Sequence, residues 1–223
     1  MKKLKLSIAT VALLASCGGE TKTKETKDPT PANDSTANTT TKVEPKVCKK
    51  GFDKEATIIG FGGYKTTDKK EVKGIFSDFT VDSTVIADTP EEIFAKATIS
   101  IPIDGLDTKD VGRNSRIKNS FFGNMESTEF MSGKIIRFNK DSSSVNLELT
   151  LNAITKEVVL DYSVNGDTLL FDGSIDIFDW NASASLEALN EVCHALHKGP
   201  DGVSKTWSEV HLFVSSVVKE ACE

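Results

Sequence analysis

The residues with the widest chemical repertoire lie close together near the C-terminus, where Cys193 and His194 are followed by His197. A thiolate and imidazole nitrogens are the usual ligands of zinc and related metals. His194 and His197, at positions i and i+3, would share one face of a helix. No carboxylate or further cysteine stands at a fixed ligand spacing from them, so the sequence predicts no metal site. An enzyme or a metal-binding protein that uses this segment stays as an alternative.

Motifs of catalysis are missing from the sequence. It contains no GxSxG segment, no Ser-His-Asp arrangement and no glycine-rich loop placed before a helix. Gly60, Gly62 and Gly63 fall within a run that alternates like a strand, so they indicate a bulge or a kink instead of a phosphate loop. The sequence therefore predicts a protein without enzymatic activity and without a cofactor.

Basic side chains cluster in one short segment, at Lys109, Arg113, Arg116 and Lys118. The surrounding body, residues 51–223, carries 17 Lys and Arg against 28 Asp and Glu. So acidic a body is unfavourable for general nucleic-acid binding, because phosphate contacts need clustered positive charge. Two interpretations of the cluster stay open: a positive rim for a phosphate or carboxylate headgroup, or a solvated helix face that pairs with neighbouring acids.

An N-terminal leader precedes the folded part of the chain that must position these residues. Three lysines precede a short apolar run, Leu6–Leu14, as in a secretory signal peptide. The next segment, Leu14-Ala15-Ser16-Cys17, resembles the bacterial lipobox, in which cleavage falls before the cysteine and acyl chains such as palmitate are attached to it. We therefore expect residues 1–16 to be a lipoprotein signal peptide and Cys17 to be the lipid-attachment residue. An ordinary signal peptide with a chance cysteine is the alternative.

Residues 17–50 are predicted to form a tether between this anchor and a folded domain of residues 51–223. The tether is rich in Thr, Lys, Asp, Glu and Pro and has almost nothing to bury, so it cannot offset the entropy of its own ordering. As a random coil it would span roughly 30 Å, from about 5–6 Å times the square root of its length. No run reaches the roughly 18–20 apolar residues of a membrane-spanning helix.

A period of two dominates the sequence of the folded domain. Apolar residues alternate with polar residues in five runs, which cover residues 93–101, 145–153, 158–164, 171–177 and 206–219. Such alternation is typical of strands with one buried face and one solvated face. Turn residues separate the runs, and Asn165-Gly166-Asp167 is the strongest hairpin signal among them.

Two segments are predicted to be helical. The first runs from Asp110, a possible N-cap, to Asn119, and the second runs from Ser183 to His197 with leucines at helical spacing. About eight antiparallel strands with one or two short helices predict an all-β barrel or sandwich. A closed barrel of eight strands is just wide enough for one slim ligand.

Three segments, in order and in spacing, resemble the YceI-like family. They are the opening hairpin around Tyr64–Thr67 and Val72–Phe79, the stretch Leu106–Phe122, and the hairpin Leu149–Val158. The resemblance extends over residues 55–219. It implies an antiparallel, eight-stranded, lipocalin-like barrel that is secreted, holds a polyisoprenoid or similar amphiphile inside, and has no known enzyme chemistry.

On this resemblance, large apolar side chains are assigned to the wall of a lipid-binding cavity. They are Phe61, Phe76, Phe79, Phe121, Phe122, Leu149, Leu151, Phe178 and Phe213. The competing interpretation is a filled core, since Phe is among the most buried residue types. Arg113, Arg116 and Lys118 are assigned to a positive rim for the lipid headgroup.

The cysteines predict one disulfide. If Cys17 is acylated, Cys48, Cys193 and Cys222 remain in an oxidising compartment. In a closed antiparallel barrel with an even number of strands, the first and last strands are neighbours that run in opposite directions. Cys48, before the first strand, and Cys222, after the last, should then meet at one rim. We expect Cys48–Cys222, with Cys193 buried and reduced; Cys193–Cys222 is the second choice.

These expectations describe a lipid-anchored binding protein of the cell envelope. Its partners would be an isoprenoid-like lipid and, through the anchor, a membrane, with no nucleic acid. Gly18 follows Cys17, where an aspartate would resemble an inner-membrane retention signal, and so the outer membrane is favoured. The alternatives are an envelope enzyme or metal-binding protein that uses Cys193, His194 and His197, and a structural lipoprotein with a filled core.

Overall fold

The computed structural model of the protein describes residues 48–127 and 129–222. The expected signal peptide, Cys17 and almost all of the expected tether lie outside the described residues. None of the helices in the described part is long and apolar enough to cross a membrane. The strands are β1 Cys48–Lys65, β2 Lys70–Phe76, β3 Thr80–Asp82, β4 Thr98–Pro102, β5 Leu106–Asp107, β6 Phe130–Asn139, β7 Ser144–Leu151, β8 Ile154–Asn165, β9 Thr168–Asp176 and β10 Thr206–Cys222.

Within residues 48–127 and 129–222, three short α-helices interrupt the strands: α1 Pro90–Phe94, α2 Val111–Arg116 and α3 Ser183–Val192. A π-helical turn, Ile117–Phe121, continues α2. The prediction of an N-cap at Asp110 is confirmed, because its side chain accepts a hydrogen bond from the backbone N–H of Arg113. The second predicted helix is shorter than expected: α3 ends at Val192, and Cys193 to His197 form a turn after it.

The predicted strand over residues 93–101 is wrong in its first half. The Thr89 side chain accepts from the backbone N–H of Glu92, and the Glu92 carboxylate accepts in return from the backbone N–H of Thr89. With Pro90 at the first helical position, this capping box starts helix α1. The local helix signal therefore overrides the apolar alternation, and β4 begins only at Thr98.

The strands form one antiparallel sheet in the order β3-β4-β6-β7-β8-β9-β10-β1-β2-β5. β2 and β3 belong to one continuous segment, Lys70–Asp82, which pairs with β1 over its first part and with β4 over its last part. β3, at one end of the strand order, is therefore separated by only three residues from β2, which is next to last at the other end, and the sheet has to curl. This confirms the lipocalin-like all-β fold. The strand count is ten in the described residues, not eight, because the short strands β3 and β5 are too brief to show as alternating runs.

β1 and β10 are the longest strands and pair along almost their whole length, from Cys48 opposite Cys222 to Lys65 opposite Thr206. First and last strands are thus neighbours, as predicted. The expected disulfide is confirmed: Cys48 and Cys222 are bonded, and their Cα atoms lie 4.3 Å apart. Cys193 is free and buried, also as predicted. β1 begins at Cys48, three residues before the predicted start of the folded domain.

Two tight turns set the register of the central strands. Gly166 starts the β8–β9 turn with φ +60°, the conformation that a glycine-first hairpin turn requires, so the hairpin predicted at Asn165-Gly166 is confirmed. In the β7–β8 turn, Asn152 and Ala153 both have positive φ, 50° and 57°. The Asn152 side chain supports this turn by donating to the carbonyl oxygen of Trp180, 2.7 Å away.

Candidate functional site

A cavity of about 380 Å³ lies inside the curled sheet. Its wall consists of the side chains that alternate inward from the strands, and this wall is apolar over most of its area. Among the lining residues are Ile99, Met131, Leu147, Leu160, Leu169 and Val214, one from each of six different strands. A cavity of this size falls in the range of small-molecule sites, which is about 300–1,000 Å³.

Two aromatic pairs line the cavity. Phe52 and Phe94 meet edge to face near the start of β1, with ring centroids 5.6 Å apart. Phe121 and Phe122, in the turns that follow α2, pack edge to face at 5.1 Å. All four rings belong to the apolar wall of the cavity.

Nine residues were assigned to the cavity wall. Six of them line the cavity as predicted: Phe61, Phe76, Phe121, Phe122, Leu149 and Leu151. The rings of Phe61 and Phe76 lie 5.5 Å apart on adjacent strands. Leu149 and Leu151 lie on the inward face of β7, as the alternation of that run indicates. The other three assignments need correction.

Phe178 does not line the cavity. It lies in the 3-10 turn Ile177–Trp180, where the period-two alternation has ended. That turn buries Ile177 and Trp180, which are three residues apart, and leaves the Phe178 side chain 50% exposed. Phe79 is buried but lies in the bend after β2, where it borders a separate surface pocket together with Lys54 and Phe76.

Phe213 borders the cavity, yet its ring lies on the outer face of the sheet. It is directly opposite Gly60 in the β1–β10 register, and a Cβ added to Gly60 would lie within 2.2 Å of its Cζ atom. Directly opposed residues present their side chains on the same face. The Phe213 ring also lies near His211 and under the exposed ammonium of Lys73. Parity places Leu212, not Phe213, inward.

The cavity opens beside α2, where the exposed residues Asp110 and Leu196 border it; we call this opening the mouth. Two residues of the predicted rim, Arg113 and Arg116, line the cavity here. The third, Lys118, does not. Its ammonium donates to the backbone oxygen of Asp104, 2.6 Å away, and lies 3.9 Å from the Asp104 carboxylate.

Lys65, His197 and Thr206 also line the mouth. Lys65 and Thr206 were not predicted as site residues, and His197 was considered only in the alternative of an enzyme or metal-binding protein. Lys65 ends β1 and Thr206 begins β10, and these positions are opposite each other in the register. The Thr206 hydroxyl lies 2.6 Å from Nδ1 of His197. Burial, together with the positive charges of Lys65 and Arg116, lowers the pKa of His197 to about 4. No local motif marks these residues; only strand pairing brings them together.

The Cys193, His194 and His197 segment does not form a group of metal ligands in the described part of the chain. Cys193 is buried and lines the cavity, whereas His194 is exposed. The one group with ligand spacing among the described residues is Cys48, Glu220 and Cys222, and its two sulfurs are bonded to each other.

His211 lies outside the cavity, on the outer face of β10, and its two partners come from the neighbouring β9 and, across β1, from β2. Its Nδ1 lies 3.1 Å from the Glu71 carboxylate on β2, and its Nε2 lies 2.9 Å from the Asp172 carboxylate on β9. Burial alone would lower the pKa of His211, but the hydrogen bonds to Asp172 and Glu71 outweigh it and raise the pKa. This arrangement ties strands together and has no connection with the mouth.

Comparison with known proteins gives a family and a fold. The sequence model of the YceI-like domain family matches residues 51–211 of this chain. A polyisoprenoid-binding domain from Saccharophagus degradans, implicated in plant cell wall breakdown, superposes with a TM-score of 0.55 at 12% identity, over 78% of this chain and 100% of that one. BcnA from Burkholderia cenocepacia superposes with a TM-score of 0.51 at 15% identity, over 75% and 99%. A comparison with curated protein sequences gives no match.

Proposed function

Since the chain belongs to the YceI-like family, we propose that it is a binding protein that holds a polyisoprenoid or similar amphiphilic lipid in its barrel cavity. The observation that carries this proposal is the cavity of about 380 Å³ with an apolar wall. A long apolar chain would bury its surface there at about 25 cal/mol per Å² removed from water. A structural protein with a filled core would leave no such space.

The shape of the cavity suits one amphiphile. Most of the wall is apolar, and a cluster of charged residues, Lys65, Asp110, Arg113 and Arg116, borders the mouth beside α2. An apolar tail would therefore lie along the strands, and a polar headgroup would stay at the mouth. The proposed role is binding without enzymatic activity, because the cavity wall formed by the described residues is mostly apolar.

The location of the protein is part of the same proposal. The lipobox-like segment ending at Cys17 supports a lipid anchor in the cell envelope, and we propose that the anchor lies in the outer membrane. The tether would enter the domain at Cys48, the first residue of β1, whereas Lys65 at the mouth is the last. The mouth would then lie at the opposite end of β1 from the residue where the tether enters.

Lipid extraction tests the function directly. The full chain is purified, extracted with organic solvent, and the extract is analysed by mass spectrometry for a lipid present at a defined ratio to protein. The variant Leu149→Glu places a charge on the cavity wall, and we expect it to lose the lipid. The control Val159→Glu changes a residue that is 57% exposed on β8 and should retain it.

The two variants also separate a cavity from a filled core. Loss of lipid from Leu149→Glu with a folded far-UV spectrum supports the cavity. Absence of any lipid from the unaltered protein, or equal retention by both variants, contradicts the proposed function.

A further inference from the structure

We propose that the barrel wall contains a lateral port, through which the apolar chain of the ligand enters and leaves the cavity without passing the mouth. The port lies between β1 and the bend of residues 77–79, which joins β2 to β3. Thr57 and Phe76 form its inner side. The proposal rests on the lipid-binding function proposed above and specifies the route that the same ligand takes.

Hydrogen bonds do not close the sheet along the whole of β1. On the edge that faces away from β10, β1 pairs with β2 only as far as Gly60, which lies opposite Ile75. One further bridge joins Lys50 to Ala87, where each backbone N–H donates to the carbonyl oxygen of the other residue. Residues 51–59 have no strand partner on this edge in the described part of the chain. The wall can therefore open here without the loss of an inter-strand hydrogen bond.

β1 bulges at the same place. Over residues 54–57, four residues of β1 lie opposite Ser216 alone. The Thr57 hydroxyl holds the bulge, because it donates to the carbonyl oxygen of Asp53 and lies 2.8 Å from the Ser216 hydroxyl. Bulges re-aim side chains and are common next to functional sites. This one places Thr57 in the wall of the barrel cavity.

A surface pocket of about 340 Å³ lies on the outer side of the gap. Thr57 and Phe76 border both this surface pocket and the barrel cavity, so at this point one layer of side chains separates the two spaces. The surface pocket is also bordered by Lys54, Glu55, Ile58, Ile75, Ser77 and Phe79. Ile58 is 51% exposed, and an apolar chain that crosses the wall would therefore meet apolar side chains on both sides.

An exposed ion pair spans the gap. The ammonium of Lys54 on β1 lies 3.4 Å from the carboxylate of Asp78 in the bend, and 5.4 Å from the centre of the Phe79 ring. Ion pairs between exposed side chains contribute little to stability. This pair can therefore hold the port closed when no ligand passes, and it can separate into water when one does.

The route through the wall also avoids charged groups that the mouth presents. Lys65, Asp110, Arg113 and Arg116 border the mouth, and an apolar chain that passed between them would displace water from charged groups. Such desolvation is unfavourable when nothing replaces the lost hydrogen bonds. At the port, the two charges lie outside the partition formed by Thr57 and Phe76.

The rate of lipid release tests the port. The probe is geranylgeraniol, bound to the delipidated full chain with the Cys17→Ser substitution and then transferred into an excess of phosphatidylcholine vesicles. Trp207 lines the cavity, so its fluorescence follows the release. A separate titration gives the affinity. A change of route alters the rates of uptake and release together, whereas the affinity depends only on the free and bound states.

A larger side chain in the surface pocket should obstruct the port. Ser77→Phe changes an exposed residue that borders the surface pocket and not the cavity. We expect release to slow by roughly tenfold, with the affinity kept within about twofold. Glu55→Phe, on the β1 side of the same pocket, is the second variant in case the first does not fold. The control Ser163→Phe, at an exposed position of β8 that borders neither space, should leave the rate as it is.

Removal of the ion pair should have the opposite effect. Asp78→Asn keeps the size of the side chain and removes its charge, so we expect uptake and release both to become faster by roughly threefold, with the affinity unchanged. Asp179→Asn is the matched control, because it removes an ion pair of 3.6 Å with Lys156 that borders neither space.

A substitution at the mouth distinguishes the two routes. Leu196→Phe enlarges an exposed residue that borders the mouth, and we expect Ser77→Phe to slow release more than Leu196→Phe does. The reverse order, or equal slowing by Ser77→Phe and Ser163→Phe, would show that the port is wrong while the lipid-binding function stands. If geranylgeraniol does not bind to the protein with an unaltered port, the proposed lipid-binding function fails, and the port fails with it.

Discussion

The ring of Phe61 lies over Gly74, its direct partner across β1 and β2. A Cβ atom added to Gly74 would come within 2.6 Å of the Cζ atom of Phe61. Both residues lie on the inward face, where Phe61 also contacts Phe76. The missing side chain at Gly74 therefore lets the Phe61 ring lie against the sheet and keeps it out of the space for the ligand.

Replacement of this glycine should reduce the capacity of the cavity. Gly74→Ala forces the Phe61 ring to move towards the interior, so we expect less bound lipid and a free energy of unfolding lower by about 1–3 kcal/mol, as for overpacking in other cores. The measurements are the lipid-to-protein ratio and denaturant unfolding. Gly63→Ala is the matched control, because a Cβ there meets no atom within 4 Å. A folded Gly74→Ala variant with unchanged lipid content would contradict this explanation.

The disulfide should matter for stability and not for ligand affinity. Cys48 and Cys222 are 174 residues apart in sequence, so the bond restricts the unfolded chain, by roughly 4–5 kcal/mol in the chain-entropy model. Cys222→Ser should therefore lower the denaturant midpoint. Lipid affinity should stay the same, because the bond lies at the start of β1 and the mouth at its end. An unaltered denaturant midpoint would contradict the predicted role of the disulfide in stability. A large loss of lipid affinity would contradict the prediction that the disulfide does not influence ligand binding.

His211 should make the protein less stable as the pH rises above 6.5. Its ordinary pKa is 6.5, and its pKa is raised in the folded state, where it lies between Glu71 and Asp172. The stabilisation from the protonated ring is complete below 6.5 and is lost as the pH rises through the folded-state pKa. Unfolding midpoints between pH 5.5 and 8.5 should fall for the unaltered protein and change less for His211→Gln. If the unfolding midpoints of the two proteins changed equally with pH, His211 would not be the source of the pH dependence.

His197 should act in the opposite direction. Its pKa falls from 6.5 to about 4 on folding, so the unfolded chain binds the proton more readily between these values. Stability contributed by the neutral ring is present above 6.5 and is lost as the pH drops towards 4. Urea unfolding at pH 4.5 and pH 7 should show a smaller loss for His197→Gln than for the unaltered protein. Identical losses would mean that the ring is not held neutral by its surroundings.

The anchor predicts a change of location. Cys17→Ser removes the residue that would carry the acyl chains, so we expect the protein to move from the membrane fraction to the soluble fraction. Fractionation after a salt wash measures this. Lys49→Ser, a substitution at the start of β1, is the control and should leave the distribution as it is. A Cys17→Ser protein that stays with the membrane would rule out the lipobox interpretation.

Patterns of short range in the sequence predicted the elements well. Alternation identified β7 to β10 and the inward direction of Leu149 and Leu151, because the pleat of a strand enforces a period of two. The Asp110 N-cap could be predicted since it depends on three neighbouring residues. Even the long-range Cys48–Cys222 bond could be predicted, because the first and last strands of a closed antiparallel sheet are neighbours.

The failures lie where the alternation stops or where the parity of a strand is ambiguous. Phe178 falls in a 3-10 turn, and Phe213 is adjacent to the inward Leu212. In β10 apolar residues occupy both faces at this point, because Gly60 leaves room for the Phe213 ring on the outside. A list of apolar residues cannot distinguish these faces without the register against β1.

The sequence by itself therefore determined the all-β class, the family resemblance and the disulfide, because these depend on periodicity, motifs and strand order. Only the tertiary structure decided the composition of the mouth. Lys65 and His197 are far apart in the chain, and the antiparallel pairing of β1 with β10 brings Lys65 opposite Thr206, the partner of His197. Proximity of this kind arises from register and chain path, which no local pattern of residues records.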